Sequence, residues 1–137
     1  MNEETLINGL LLTPYKAGGN NWSGMDCWGL IEFWYDRMLG VKLSDRCGID
    51  GAESVDFLAG YQKTQQWREV EYPLVHDIVI LPGLSVHDGK KHVIENGHCG
   101  VVTTYGVLHI SAVGGCKLEE FTAPILKRAK YLRYAKH

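Results

Sequence analysis

The sequence has no apolar run that approaches the roughly 20 residues a helix needs to cross a bilayer. It also has no cluster of lysine and arginine, and its formal net charge of −2 disfavours a general nucleic-acid binder. The opening residues, MNEETLINGL, are acidic where a signal peptide is basic. We therefore expect no membrane span, no nucleic-acid partner, and synthesis in a cytoplasm without export by a signal peptide.

The sequence also lacks the close cysteine pair that is typical of a structural zinc site. None of its four cysteines forms a CxxC pair, and a structural zinc site usually contains at least one such pair. We therefore expect no metal and no other cofactor. Disulfides are the weaker alternative for a chain that is not exported, so the sequence predicts free thiols, one of them a candidate for a reactive group. The four cysteines are Cys27, Cys47, Cys99 and Cys116.

What is present predicts a single domain spanning residues 1–137, with 45% hydrophobic and 22% charged residues. The apolar spacing indicates helices first and short strands afterwards, which is typical of an α+β fold with N-terminal helices packed on a central antiparallel sheet. The predicted helices are at 1–12, 27–39 and 51–61, with a helical or irregular piece at 62–67. The predicted strands are at 77–82, 99–104, 107–111, 116–118 and 130–134, with an exposed loop or hairpin at 83–97.

The chain is organised around residues 24–34, GMDCWGLIEFW. Asp26 is a good helix N-cap, since its carboxylate can accept a hydrogen bond from a free backbone N–H two or three residues further on. Cys27 then stands in the first turn of an apolar helix that ends before Gly40. The positive end of the helix dipole favours thiolate over thiol. An ordinary buried cysteine is the more common alternative, and a nearby base decides between the two.

Two histidines are candidates for that base and its support, because the base needs a third group to fix its tautomer. His98 begins one strand of the predicted hairpin, and His109 lies on the return strand. Side chains of paired strands lie about 5 Å apart, so His98 can face Cys27 with His109 behind it. The alternative for either histidine alone is a satisfied core or surface residue. His87 and His92 fall in a charged segment and are predicted to be solvated.

Four segments, in this order, resemble the NlpC-type cell-wall cysteine peptidases over residues 13–134. The segments are PYKAGG at 14–19, GMDCWGL at 24–30, NGHCGVV at 96–102 and VLH at 107–109. The tryptophan after the cysteine resembles the bacteriophage tail-assembly branch, where Asp-Cys-Trp-Gly-Leu replaces the commoner Asp-Cys-Ser-Gly. Three features depart from the family pattern: Cys99 stands where valine is usual, His76 stands where glycine is usual, and the insert at 82–95 is unusually rich in charge. Whether that insert covers the cleft stays open.

The resemblance implies a papain-like fold and cleavage of peptidoglycan stem peptides, often between D-glutamate and a diamino acid. By position, it implies that Cys27 is the nucleophile, His98 the base and His109 the orienting residue. The hydroxyl of Tyr15 and the backbone N–H of Cys27 are implied to stabilise the oxyanion. Asp26 is implied to be structural or to bind the amine of the stem peptide. Three further residues are expected to contact the substrate: Trp28, Gly18 and Gly19.

The same resemblance implies a setting. We expect a peptidase of a phage tail tip or a prophage, made in the host cytoplasm and carried by the virion to act in the periplasm or cell wall. Its partners would be the peptidoglycan stem peptide and other tail-tip proteins. Two alternatives stay open. One is a structural tail-tip protein that keeps the fold with an occluded or unused site, and the other is acyl-transfer or amidase chemistry on a different substrate.

Overall fold

The computed structural model describes residues 2–43 and 66–135. The first helix, α1 (Glu3–Leu11), begins where the Asn2 side chain accepts a hydrogen bond from the Thr5 N–H at 2.8 Å. The helix predicted in this region is confirmed. Its buried residues form one apolar face: Leu6, Ile7 and Leu10.

Helix α2 (Cys27–Trp34) is almost wholly buried. It continues into one π-helical turn, Tyr35–Leu39, and ends at Gly40, whose φ of +65° is the left-handed conformation of a helix stop. A short hairpin, β1 (Asn20–Asn21) and β2 (Gly24–Met25), leads into its first residue. The predicted central helix is confirmed. In the described parts of the chain, no helix is long and apolar enough to cross a membrane.

Six strands of the second half of the chain pair into one antiparallel sheet. They are β3 (Trp67–Val70), β4 (Ile78–His87), β5 (Lys90–Thr103), β6 (Gly106–Ser111), β7 (Gly115–Glu119) and β8 (Lys130–Tyr134). Their order across the sheet is β3-β8-β4-β5-β6-β7, so β8 pairs with both β3 and β4. A 3₁₀ turn, Pro124–Arg128, precedes β8. The predicted α+β class, with N-terminal helices and a central antiparallel sheet, is confirmed.

The main core lies between the helices and one face of the sheet. Buried residues of α1 and α2 pack with Ile78, Val101 and Leu108 of the strands. A smaller cluster includes Val79 and Val102, and the 3₁₀ turn adds Leu126 to it. Because α2 packs in the main core along its length, the position of its first residue is fixed relative to the sheet.

Strand β4 continues past Pro82 and Gly83, where the sequence predicted its end. It forms a long hairpin with β5, and the register of that hairpin shifts after Leu81. Leu81 pairs with His98 and Gly83 with Ile94, so three residues of β5 oppose one residue of β4. Pro82 therefore lies in a β-bulge. This position suits proline, because proline has no backbone N–H for the hydrogen bonds between strands. The hairpin alternative predicted for this segment is confirmed, and the predicted end of the strand is wrong.

The helix predicted at 51–61 lies outside the described residues, as does most of the piece predicted at 62–67. Trp67 itself begins β3, so a helical or irregular state is wrong at that residue. Its ring packs on those of Tyr35 and Tyr134, with ring centroids 5.6 Å and 4.9 Å away. This aromatic packing between α2 and the sheet edge favours a strand and depends on residues distant in sequence.

His76, just before β4, has a φ of +81°, a left-handed conformation that residues other than glycine rarely adopt. The indole N–H of Trp34 donates to His76 Nδ1 at 3.0 Å, and the Tyr35 hydroxyl donates to the His76 carbonyl. These two bonds tie the end of α2 to the start of β4. They also support the backbone conformation at a position where the resembling family usually has glycine.

Asp77 is buried and joins the same region to β8. Arg133 binds both of its carboxylate oxygens, with Nε 3.0 Å from Oδ1 and Nη2 2.8 Å from Oδ2. The backbone N–H of Leu74 also donates to Oδ2, at 2.8 Å. A bidentate pair fixes orientation as well as distance, so the loop before β4 is held in register with β8.

Candidate active site

The buried carboxylate of Asp26 holds the preceding glycine loop against the first turn of α2. Its Oδ1 accepts from the Gly29 N–H at 2.7 Å, as an N-cap does, and its Oδ2 accepts from the Gly18 N–H at 2.9 Å. The Asp26 N–H donates to the Gly19 carbonyl at 3.2 Å. Two roles were expected for Asp26, and the structure shows the structural one. The binding of a substrate amine stays a prediction.

Close backbone approach explains the glycines of this region. A Cβ at Gly29 would collide with the carbonyl oxygen of Gly19, and a Cβ at Gly19 would collide with that of Gly24. Gly18 has a φ of +76°, which residues with side chains rarely adopt. These glycines allow the loop to pack on the helix, and this packing fixes where Cys27 stands.

Cys27 is the first residue of α2 and is 2% exposed. A hydrogen bond with the thiol of Cys99 contributes most to lowering its pKa, and a hydrogen bond with His98 and the positive charge of that ring lower it further. Burial and the negative charge of Asp26 oppose these effects, and the resulting pKa is about 6, against an ordinary value of 9.0. Cys27 is therefore mostly thiolate at neutral pH.

Cys116, on β7, shows the effect of burial by itself. Desolvation raises the pKa of the Cys116 thiol to about 12, so it stays protonated at neutral pH. Cys116 and Cys27 are both free cysteines. Neighbouring groups, and not the residue type, therefore distinguish the acidic thiol at the start of α2 from its counterpart in the sheet.

His98 and His109 lie side by side on β5 and β6. Nε2 of His98 is 2.9 Å from Nδ1 of His109, and the two ring planes are 73° apart. The direct cross-strand partner of His109 is Gly100, which makes the two histidines diagonal neighbours. A Cβ on Gly100 would come within 3.0 Å of the His109 Cβ, so glycine at this position leaves room for the His109 side chain.

The ring of His109 is neutral at neutral pH. Burial, followed by the positive charge of His98, lowers the pKa of His109. A hydrogen bond with Glu119 raises it by less; Glu119 Oε1 lies 3.3 Å from His109 Nε2. A neutral imidazole has one N–H donor and one acceptor nitrogen, so His109 can give one hydrogen bond and accept another.

Glu119 was missing from the residues predicted from sequence. It lies on β7, where Lys117 is the direct partner of His109. Residues two apart on a strand share a face, so Glu119 is a diagonal neighbour of His109 on that face. Only the register of the β6–β7 hairpin reveals this, and the sequence predicted the hairpin without its register.

A cleft of about 170 Å³ with a mainly apolar lining opens beside these groups. Four of the predicted site residues line it together: Tyr15, Cys27, His98 and His109. The bulge between β4 and β5 forms another part of its wall, through Pro82, Gly83 and Gly97. Tyr15 is positioned by a parallel backbone bridge to Met25, two residues before the cysteine. The structure thus brings the expected nucleophile, base, orienting residue and phenol to one opening.

Three other predicted residues are placed elsewhere. Trp28 is 2% exposed and packs in the main core, and Gly18 and Gly19 belong to the packed loop before α2. The cleft lining does not include them, and their contact with a substrate stays a prediction. His92 is exposed, as predicted.

The assembled groups are suited to covalent chemistry at a carbonyl. They supply a thiolate, an imidazole that can take and return a proton, a neutral second imidazole and a phenol. This set fits attack by sulfur on an acyl carbon with proton transfer through His98. Within residues 2–43 and 66–135, no three histidine, cysteine, aspartate or glutamate side chains are grouped so as to hold a metal ion.

Comparison with known families shows where this arrangement belongs. The NlpC/P60 family matches residues 12–104, a range that contains Tyr15, Cys27 and His98. The chain belongs to the NlpC/P60 family. In this NlpC/P60 chain, His109 and Glu119 lie beyond the matched range, on the strands that follow it.

Among solved structures, the NlpC/P60 domain of the peptidoglycan hydrolase SagA is similar to this chain. The TM-score is 0.57 and the sequence identity 15%, over 94% of this chain and 92% of that one. At this identity the likeness shows the fold alone, and it confirms the papain-like α+β fold for the present NlpC/P60 protein. No match was found among curated proteins.

Proposed function

We propose that this NlpC/P60 protein is a cysteine endopeptidase that hydrolyses the stem peptides of peptidoglycan. The observation that carries the proposal is the thiol of Cys27, with a pKa of about 6, beside the hydrogen-bonded pair of His98 and His109 at an open cleft. A thiolate at neutral pH next to a proton-accepting ring is the combination that cysteine peptidases require.

In the proposed mechanism, the sulfur of Cys27 attacks the carbonyl carbon of the scissile amide. His98, which holds the former thiol proton, transfers it to the leaving amine as the C–N bond breaks and the acyl-enzyme forms. Water then gives a proton to His98 and attacks the acyl-enzyme, which releases the carboxylate product and restores the cysteine. His109 orients the ring of His98 throughout.

The oxyanion formed in each attack needs donors. The backbone N–H of Cys27 is available for this because the first N–H groups of a helix have no partner within it. The hydroxyl of Tyr15 is the second proposed donor, since Tyr15 lines the same cleft as the nucleophile. Donors aimed at developing negative charge contribute to the rate of the chemical step.

Peptidoglycan as the substrate is supported by the family and by the similar NlpC/P60 domain, which comes from a peptidoglycan hydrolase. The bond between D-glutamate and a diamino acid is the one we propose. Support for it comes from the Gly-Gly loop and the Asp-Cys-Trp-Gly segment, which resemble the NlpC-type enzymes.

We also propose that the enzyme works in a bacteriophage tail tip or is encoded by a prophage. It would be made in the host cytoplasm and delivered by the virion to the periplasm or cell wall, with other tail-tip proteins as partners. The tryptophan that follows Cys27 supports this setting, since it resembles the tail-assembly branch. Mass spectrometry of purified virions tests it, and absence of the chain from intact particles would contradict it.

The activity is tested with purified peptidoglycan, using wild-type protein, Cys27→Ala and the matched control Cys116→Ala. We expect wild type and Cys116→Ala to release soluble fragments and Cys27→Ala to release none above background. Mass analysis of the fragments identifies the bond: new free D-glutamyl carboxylates and diamino-acid amines support the proposed cleavage. A wild-type protein that folds but releases nothing would point to a structural tail-tip protein, and products of another bond to amidase or acyl-transfer chemistry.

A further inference from the structure

The contact between His109 and Glu119 has a definite direction. A carboxylate only accepts hydrogen bonds, so the 3.3 Å contact between Glu119 Oε1 and His109 Nε2 requires the proton to be on Nε2. Because the ring of His109 is neutral, its Nδ1 then carries a lone pair. That nitrogen lies 2.9 Å from Nε2 of His98, so it can only accept a hydrogen bond there.

The direction continues into the ring of His98. If His109 Nδ1 accepts a hydrogen bond, His98 Nε2 must carry a proton and donate that hydrogen bond. The other nitrogen of His98, Nδ1, is then the one that receives the proton of Cys27, whose thiol hydrogen-bonds to this ring. The chain of contacts from Glu119 to Cys27 thus assigns a proton to one nitrogen of each imidazole.

We infer that Glu119 is a positioning residue that selects the tautomer of His109 and, through it, the nitrogen on which His98 accepts the proton of Cys27. Glu119 contacts His109 and is not itself one of the residues that line the cleft. The inference rests on the proposed function for its purpose, but its geometry is independent of the substrate.

The opposite tautomer of His109 would leave His98 unable to accept the thiol proton of Cys27. With its proton on Nδ1, His109 would donate to Nε2 of His98, and a neutral His98 would then carry its own proton on Nδ1. That nitrogen would face Cys27 as a donor and could not take the thiol proton. A side chain that only accepts at His109 Nε2 excludes this arrangement, whereas an amide, which can accept or donate, does not.

The contact is a hydrogen bond to a neutral ring and not a surface ion pair. The side chain of His109 is 7% exposed and that of Glu119 is 29% exposed. The charge of a carboxylate at this distance does favour protonation of His109, yet burial and the nearby His98 outweigh it. Glu119 therefore orders the ring without charging it.

The test compares Glu119→Gln with wild type and with the matched control Glu120→Gln. Glutamine has nearly the shape of glutamate, so packing is preserved while the restriction to accepting is lost. Glu120 is the exposed neighbour of Glu119 and undergoes the same change of charge.

Nitrogen-15 NMR of histidine-labelled protein reports which nitrogen of His109 is protonated, and the iodoacetamide reaction rate of Cys27 at about pH 6 reports thiolate formation. Glu119→Ala serves as a second variant, with its fold checked by the same spectra.

We expect wild type and Glu120→Gln to hold His109 with its proton on Nε2. Glu119→Gln and Glu119→Ala should show a mixture of tautomers or the Nδ1–H form, with alkylation of Cys27 slowed several-fold. A Glu119→Gln protein that keeps the wild-type tautomer, or alkylates at the rate of Glu120→Gln, would overturn the inference. Neither readout uses peptidoglycan, so failure of the wild type to hydrolyse it would count against the proposed function and leave this result standing.

Discussion

At the scale of single residues, the acidity of Cys27 comes from two neighbours on β5, Cys99 and His98. The thiol of Cys99 makes the larger contribution, although valine is usual at its position in the resembling family. A donor that stabilises the thiolate lowers the pKa, and this chain has therefore placed a second sulfur where an aliphatic side chain would have no effect on ionisation.

The first prediction concerns Cys99→Ala. In wild type the rate of Cys27 alkylation should rise with pH around a midpoint near 6, because only the thiolate reacts. Removing the Cys99 donor raises the pKa of Cys27, so the midpoint should move to higher pH, and each unit of that movement reduces the thiolate below the midpoint about tenfold. Peptide mass spectrometry after timed iodoacetamide pulses measures it.

Two controls accompany this measurement. Cys99→Ser keeps a donor and should move the midpoint less than Cys99→Ala, while Cys116→Ala should leave it unchanged. An unaltered midpoint in Cys99→Ala would assign the acidity of Cys27 to His98 and the helix terminus.

The second prediction concerns Tyr15→Phe. The hydroxyl of Tyr15 is proposed to donate to an oxygen that becomes negative only in the transition state, so its loss should affect turnover more than substrate binding. We expect kcat on a stem-peptide substrate to fall at least about tenfold, which corresponds to roughly 1.4 kcal/mol, with the thermal midpoint unchanged. Tyr105→Phe, at an exposed turn, is the control. Full activity in Tyr15→Phe would leave the oxyanion to backbone donors.

At the scale of elements, the start of α2 and the glycine loop before it form one packed unit. Asp26 accepts hydrogen bonds from the loop at Gly18 and from the helix at Gly29, and the Gly19 carbonyl occupies the space where a side chain at Gly29 would lie. The loop is therefore held against the helix, and the position of Cys27 depends on a backbone contact.

The third prediction tests this contact with Gly29→Ala. In an exposed helix the change from glycine to alanine stabilises by about 1 kcal/mol. Here the added methyl group collides with the Gly19 carbonyl, and overpacking of this kind typically costs about 1–3 kcal/mol. We expect a net loss of stability in urea denaturation, with slower alkylation of Cys27. A gain in stability would show that the loop moves aside without cost.

The elements that local signals define were predicted from the sequence. The Asp26 cap, the stop at Gly40 and the β5–β6 hairpin each depend on residues a few positions apart. The features that were missed depend on distant partners. The β-bulge at Pro82 takes its form from two extra residues on β5, and Trp67 is held in a strand by the rings of Tyr35, just after α2, and Tyr134 on β8.

The candidate site divides in the same way. Cys27, His98 and His109 could be chosen because helix and hairpin periodicity place them. The contact of Cys99 with Cys27 could not be predicted, since strand alternation assigns Cys99 and His98 to opposite faces. Glu119 needed the register of a further hairpin, which turn residues alone do not fix.

At the scale of the whole molecule, the pair of Asp77 and Arg133 joins the loop before β4 to β8. The carboxylate of Asp77 is 3% exposed, and both its oxygens accept from the guanidinium. Removing one partner of such a pair leaves a buried charge with too few hydrogen-bond donors, which is more costly than never having had the pair.

The fourth prediction follows from this pair. Arg133→Ala should lower the urea midpoint clearly, while Arg68→Ala should change it little. Arg68 is an exposed arginine directly opposite Arg133 on β3, so the two variants lose the same charge from neighbouring positions. Arg133→Lys should recover only part of the loss, because an ammonium group cannot bind both oxygens in the same geometry. Equal midpoints for the two alanine variants would show that Asp77 is satisfied by backbone donors.

The place of β8 in the sheet also bears on how the protein is synthesised. A ribosome delivers Cys27, β3 and β4 long before residues 130–134, yet those residues form the strand that lies between β3 and β4. A nascent chain can therefore build the β4–β7 meander early, but among the described strands β3 pairs with β8 alone, so this pairing waits until β8 leaves the exit tunnel. Pairing across such a sequence distance is slow because the loop between the strands must first be closed. Cys27 is thus translated well before the strand that joins β3 to the rest of the sheet.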